Sequence, residues 1–131
     1  MLADTPMPAP PTTELLLPSL TAWRRWLRRN AASASEAWVV ISKKSAPAGL
    51  DFDDALDEAM CFGWVDVQSR RRDDATYLLR FTPRRPRSAW AMTNVMRVQR
   101  LAAEGRMQSE GYAAIKRAHA AGLWPPGAEM P

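Results

Sequence analysis

The 131-residue chain has one cysteine, Cys61, and one histidine, His119. A single cysteine excludes an internal disulfide, and with it a disulfide-stapled secreted fold. One thiol and one imidazole are too few ligands for a structural zinc site. No apolar run reaches 18 residues, so no membrane-spanning helix is expected. No Gly-rich phosphate loop, metal-ligand spacing or nucleophile elbow occurs. No motif supports an enzyme, and no cofactor or metal is expected. What remains is ordinary: 47% apolar and 24% charged residues, the composition of one globular domain rather than of a disordered chain, a collagen or a coiled coil. Two features stand out, six tryptophans and 18 basic against 14 acidic side chains.

Residues 1–18 contain Pro6, Pro8, Pro10, Pro11 and Pro18. Proline removes backbone donors and fixes φ, so the segment reads as a disordered proline-rich tail. Pro8 and Pro11 also fit a PxxP ligand, although a loose terminus needs no partner. The segment lacks a basic n-region and Leu15-Leu16-Leu17 is too short for an h-region, so a cytoplasmic location is expected.

A single α+β domain is expected over 19–124, followed by a C-terminal tail, 125–131. Ser19 caps a helix to about Asn30, with Leu16, Leu20, Trp23 and Leu27 at helical spacing and Trp26 outside that stripe. Trp38-Val39-Val40-Ile41 marks a strand near 37–43. Asp51 caps a helix in which Phe52, Ala55, Leu56, Ala59 and Met60 form an apolar stripe, ended by Gly63. Strands near 64–72 and 75–82 follow, joined across Asp73-Asp74. Ser88 is expected to cap a helix to about Glu104, with Gly105 just past its end, and Ser109 to cap a last helix closed by Gly122. Trp124 then tucks back onto the core. The sheet is therefore three-stranded and mostly antiparallel, packed with about four helices.

Residues 70–106 carry ten arginines against three acids. Arginine's planar fork suits carboxylate and phosphate. Arg84, Arg85 and Arg87 precede the helix expected at Ser88, where free N–H groups favour an anion and disfavour unpaired cations. Trp90, Asn94 and Arg97 would share one helix face behind them. Arg80, Arg84, Arg85, Arg87, Ser88, Trp90, Asn94 and Arg97 are thus candidates for binding an anion or a partner. Three readings stay open: solvated surface with Trp90 in the core, an internal network with the acids of 51–58, or an external anion. Arg70, Arg71, Arg72, Arg100 and Arg106 are candidate nucleic-acid contacts, with Trp64 and Trp90 nearby to stack on bases. Asp51, Asp53, Asp54, Asp57 and Glu58 read either as a solvated helix face or as partners of that basic segment. Cys61 and His119 form a nucleophile–base pair only if the fold brings them together, and Asp66 is the acid whose burial matters.

Several blocks resemble the YdeI/OmpD-associated, or bacteriocin-protection, family. They are Cys61-Phe62-Gly63-Trp64-Val65-Asp66; the run Arg80 to Ser88 followed by Trp90 and Asn94; Leu101 with Gly105-Arg106-Met107 and Gly111; Trp124; and Trp23-Arg24-Arg25-Trp26-Leu27. Together they span about residues 20–124 in order. The resemblance implies a small bacterial protein of stress resistance, linked to survival against bacteriocins and cationic antimicrobial peptides and to association with a porin. It implies no catalytic residue, and it adds weight to the arginine segment as a site. A basic protein is a poor trap for cationic peptides, so direct sequestration is not the expected mechanism. The first expectation is a non-enzymatic stress-resistance protein that binds an anionic ligand or an acidic protein surface. The alternatives are a nucleic-acid-binding stress protein and an enzyme using Cys61, Asp66 or His119.

Overall fold

The computed structural model describes residues 13–44 and 49–131. Its elements run β1 (Glu14–Leu15), α1 (Leu20–Asn30), β2 (Ala37–Ser42), α2 (Phe52–Cys61), β3 (Trp64–Arg71), β4 (Thr76–Pro83), α3 (Met92–Ala103) and α4 (Ser109–Ala120). The sheet order is β1-β2-β4-β3. β2, β4 and β3 pair antiparallel, and β1 pairs parallel with β2 through Glu14–Trp38 and Leu15–Val39. The fold is α+β, with the three expected strands and one more. The fourth strand has two residues and lies inside the segment read as a proline-rich tail. So short a run carries no periodicity, and only its contact with β2 makes it a strand. Residues 1–12 of that tail, including Pro8 and Pro11, lie outside the described residues.

Local signals explain most boundaries. The Ser19 hydroxyl accepts from the Ala22 N–H and the Asp51 carboxylate from Asp54 N–H, as N-caps do. The 73–75 turn is held by Asp73, whose Oδ1 accepts from Ala75 N–H, Thr76 N–H and the Thr76 hydroxyl. The Thr76 hydroxyl, ahead of the two backbone N–H groups, holds the Asp73 carboxyl below its ordinary range. Past α3, Gly105 adopts φ +73°. Its N–H bonds Ala102 O and the Arg106 N–H bonds Leu101 O, the paired closure of a Schellman end.

Two expected caps are corrected. α3 begins at Met92, and its N-cap Ala91 makes no side-chain bond. Residues 84–91 are instead drawn into a turn by Arg84, so Ser88 caps nothing. Ser109 is the first residue of α4, whose N-cap is Gln108. The C-terminal segment is packed rather than loose: Gln99 Nε2 donates to Glu129 O, Trp124 Nε1 donates to Ala128 O, and Ala128 and Met130 rest on the core.

The helices cover one face of the sheet, where Val39, Ile41, Leu79 and Phe81 are buried with Trp23, Leu27 and Trp64. Trp26, placed outside the apolar stripe, is stacked on Trp23 at 5.5 Å and edge-on to Trp64 at 5.9 Å. α2 touches α1, α3, α4, β2 and β3. α4 crosses its end closely: a Cβ on Gly111 would collide with the Cys61 carbonyl. The opposite sheet face holds a smaller cluster, Trp38, Val40 and Leu78. Among the described residues, no helix is long and apolar enough to cross a membrane.

Candidate functional site

The structure sorts the arginines into three groups. The first is internal. α2 lies at the centre of the helical layer, so its last two turns are buried, and Glu58 and Asp57 with them (1% and 6% exposed). Glu58 accepts from Arg24 Nη1 and from Arg106 Nη2, both at 2.9 Å. Asp57 accepts from Arg97 Nη1 at 2.6 Å and from Arg100 Nη2 at 2.8 Å. The hydrogen bond from Arg100 to Asp57 raises the Arg100 pKa further. A carboxylate buried without such partners would cost several kcal/mol (about 3–5). Arg97, Arg100 and Arg106 are therefore partners of the acidic helix. Arg97 and Arg100 border an open cleft of about 440 Å³ with Asp53, Thr93 and Met96, but their charge there is answered from within. Sequence reasoning missed Arg24. Its position three residues before Leu27 and four after Leu20, on the border of the apolar stripe, is the signal that could have found it.

The second group shields the outer sheet face. Arg70 lies over the Trp38 ring at 4.9 Å. Arg72 spans to Glu14 at 2.9 Å and also bonds Asp73 and Thr76. Arg70 thereby covers Trp38, one of the three residues of the small cluster. Arg71 is exposed and makes no ion pair among the described residues. These arginines and those of the internal network do not form one face. Five tryptophans are buried and Trp26 is packed against the core, so no tryptophan ring stands ready to stack on a base, and Phe52 is the exposed ring among the large hydrophobic residues described.

The third group lies around the end of β4. Arg84 is 7% exposed, with its guanidinium 3.9 Å from the centroid of the Trp90 ring and Nη2 donating to Ala89 O at 2.7 Å. Burial lowers its pKa, against the charge of the half-buried Asp66. Nε of Arg84 and Nε1 of Trp90 have no partner among the described residues. Trp90 precedes α3 and packs on Trp124 at 5.2 Å. It therefore shares no helix face with Asn94 and Arg97. The consequence for the candidate site is direct. Arg84 is a structural clasp for the 84–90 turn, and the cluster does not stand at a helix N-terminus. Arg87 is exposed and Asn94 half-buried, and neither lines a cleft described here.

What the fold does assemble is a cleft of about 540 Å³ on the outer sheet face. Arg80 and Thr82 reach it from β4, Val65 and Val67 from β3, Arg85 and Ser88 from the following turn, and Ser35 from the loop before β2. Arg80 is paired with Glu36 at 2.7 Å. Arg85 is exposed and makes no ion pair among the described residues. The lining offers two guanidinium groups, three hydroxyls and an apolar wall. It contains no carboxylate, imidazole or thiol that could serve as a general base or nucleophile. Of the predicted residues, Arg80, Arg85 and Ser88 meet here. Ser35 and Thr82 were missed, because no periodicity links a loop serine to a strand forty residues on.

The thiol and imidazole do not form a site. Cys61 is fully buried, and its thiol is pushed up to about 12 by burial and then by the charge of Glu58. His119 is exposed on the last turn of α4. Among the described residues, no group of three or more His, Cys, Asp or Glu is placed to hold a metal ion.

A family profile described as a domain of unknown function, DUF8412, matches residues 15–114. The chain belongs to the DUF8412 family. The match runs from β1 into α4, so the DUF8412 region contains the whole cleft and the buried ion-pair network. Trp124, which packs on Trp90, lies outside it. No curated protein and no solved structure matches the chain.

Proposed function

We propose that this DUF8412 protein is a non-enzymatic stress-resistance protein of the kind found in the YdeI/OmpD-associated family, and that it works by binding an anionic ligand or an acidic protein surface in the cleft lined by Arg80, Arg85, Ser35, Thr82 and Ser88. One observation carries the reading. Arg85 has an exposed guanidinium with no carboxylate partner among the described residues, at a cleft with three hydroxyl groups around it. Guanidinium and hydroxyl donors together match the oxygens of a carboxylate or phosphate. Val65 and Val67 give the ligand an apolar wall, and the absence of a base from the lining favours binding over catalysis. A cytoplasmic site of action belongs to the same proposal, since a lone buried thiol needs no oxidising compartment.

The test is calorimetric titration with citrate, inorganic phosphate and a glutamate-rich peptide at low and raised salt. Binding of at least one, weakened tenfold or more by Arg85→Ala and little by Arg87→Ala, is the expected result. No binding of any of the three at low salt overturns the reading. Labelled single-stranded and duplex oligonucleotides, titrated across a salt series, address the nucleic-acid alternative. Tight binding of these that Arg85→Ala leaves unchanged would replace the cleft reading with the alternative.

A further inference from the structure

We propose that the free edge of β3 takes an extended acidic peptide from a partner protein as a fifth strand. The inference rests on the cleft reading above and names the form of its ligand. β3 ends the sheet, and among the described residues its backbone is laddered to β4 alone. An outer edge of this kind presents a row of N–H and C=O groups to a new strand. The five residues 67–71 are exposed in succession. Strand side chains alternate between faces, so β3 here is bare on both sides and not only along its edge.

Both bare sides are hollow. On the outer face, Val65 and Val67 line the cleft that holds Arg85. On the helical face, Asp66, Val67 and Ser69 line a second cleft of about 590 Å³ with Phe52, Tyr77 and Leu79. Val67, which lines both, stands at the register shift between Asp66 and Gln68. A strand laid along β3 would send alternate side chains towards the two clefts. Added strands are recognised in this way, with main-chain bonds giving affinity and flanking pockets giving selectivity.

Charge selects the occupant. Arg70, Arg71 and Arg85 are exposed beside this edge and make no ion pair among the described residues. The one acid in the two clefts, Asp66, lies towards the Trp64 end, where its charge acts on buried Arg84. Glutamate or aspartate side chains opposite Arg70 and Arg71 would form favourable cross-strand pairs. A second copy of this chain, paired through the exposed stretch, would instead set arginine against arginine on both faces of the sheet. Arginines on an edge strand deter self-pairing by like charge, and they leave an acidic strand welcome.

The experiment uses the full chain and a fluorescent ten-residue peptide in which pairs of glutamates alternate with pairs of valines, so that carboxylates stand on both faces of the added strand. Its fully N-methylated form keeps every carboxylate and loses every backbone donor. Fluorescence polarisation should show binding of the first, at least tenfold weaker binding of the second, and at least tenfold loss on Arg71→Glu. Amide hydrogen exchange should slow along residues 64–71 when the peptide is bound. Equal binding of both peptides with no protection of β3, while Arg85→Ala still abolishes binding, would overturn strand addition and leave the cleft reading standing. Failure of citrate, phosphate and both peptides to bind would overturn the cleft reading itself. Protection of β3 that grows with protein concentration in the absence of peptide would assign the edge to a second copy and sink the proposal.

Discussion

Arg106 and Glu58 are ion-paired at 2.9 Å, and the Glu58 side chain is only 1% exposed. Arg24 binds the other carboxylate oxygen, so one buried charge ties α1 and the α3–α4 connection to α2. Removing one member of such a cluster leaves the others desolvated and unpaired. Glu58→Gln should lower unfolding stability by about 3 kcal/mol, because Arg24 and Arg106 both lose their buried carboxylate partner. Urea unfolding midpoints at constant slope give the comparison. An unchanged midpoint for Glu58→Gln would show that the pair contributes nothing.

The closeness of α4 to α2 rests on Gly111. A methyl group there would meet the Cys61 carbonyl, which already accepts from the Gln108 N–H at 2.9 Å. Gly111→Ala should cost about 2 kcal/mol net, overpacking outweighing the gain in helix propensity. Gly105 has open space around it but φ +73°, so Gly105→Ala should cost about 1 kcal/mol from backbone strain alone. Thermal unfolding of the two variants should therefore rank Gly111→Ala as the worse, and the reverse order would refute the close crossing.

Burial pushes the Cys61 thiol up to about 12, against 9.0 for an ordinary thiol. In the unfolded chain the thiol loses its proton first, so the unfolded state binds fewer protons between about pH 9 and pH 12. Stability from this group is complete below about pH 9 and is lost as pH rises towards 12. Cys61→Ala should flatten the alkaline fall in unfolding free energy relative to the parent. A disulfide reagent at pH 8 should label the thiol no faster than the protein unfolds; immediate stoichiometric labelling would contradict its burial.

Arg84 works through its shape. Its plane stacks on Trp90 while Nη2 holds the Ala89 carbonyl, a combination that an ammonium cannot reproduce. Arg84→Lys should destabilise the protein by about 1 kcal/mol and shift Trp90 fluorescence to the red as the ring gains water. Anion binding at the Arg85 cleft should persist in this variant. Loss of binding with unchanged fluorescence would mean that Arg84 itself faces the ligand.

The elements were largely legible because their signals are local. The stripe from Phe52 to Met60, the caps Ser19 and Asp51, and the run Trp38 to Ile41 all lie within a few residues of what they specify. The α3 start was misplaced for an equally physical reason. Ser88 is a good capping residue in isolation, but Arg84 reaches five residues along the chain to Ala89 and Trp90 and closes a turn there first. β1 was illegible because two residues have no period.

The sequence alone determined the α+β class, the three main strands, the four helices and the excess of arginine between residues 70 and 106, since periodicity, capping and charge are read within one segment. Only the tertiary structure decided which arginines remain available. Arg97 meets Asp57 across 40 residues and Arg106 meets Glu58 across 48, while Arg85 meets no acid among the described residues. Coulomb attraction and desolvation depend on distance and burial in the folded state, and neither is encoded at any single position of the chain.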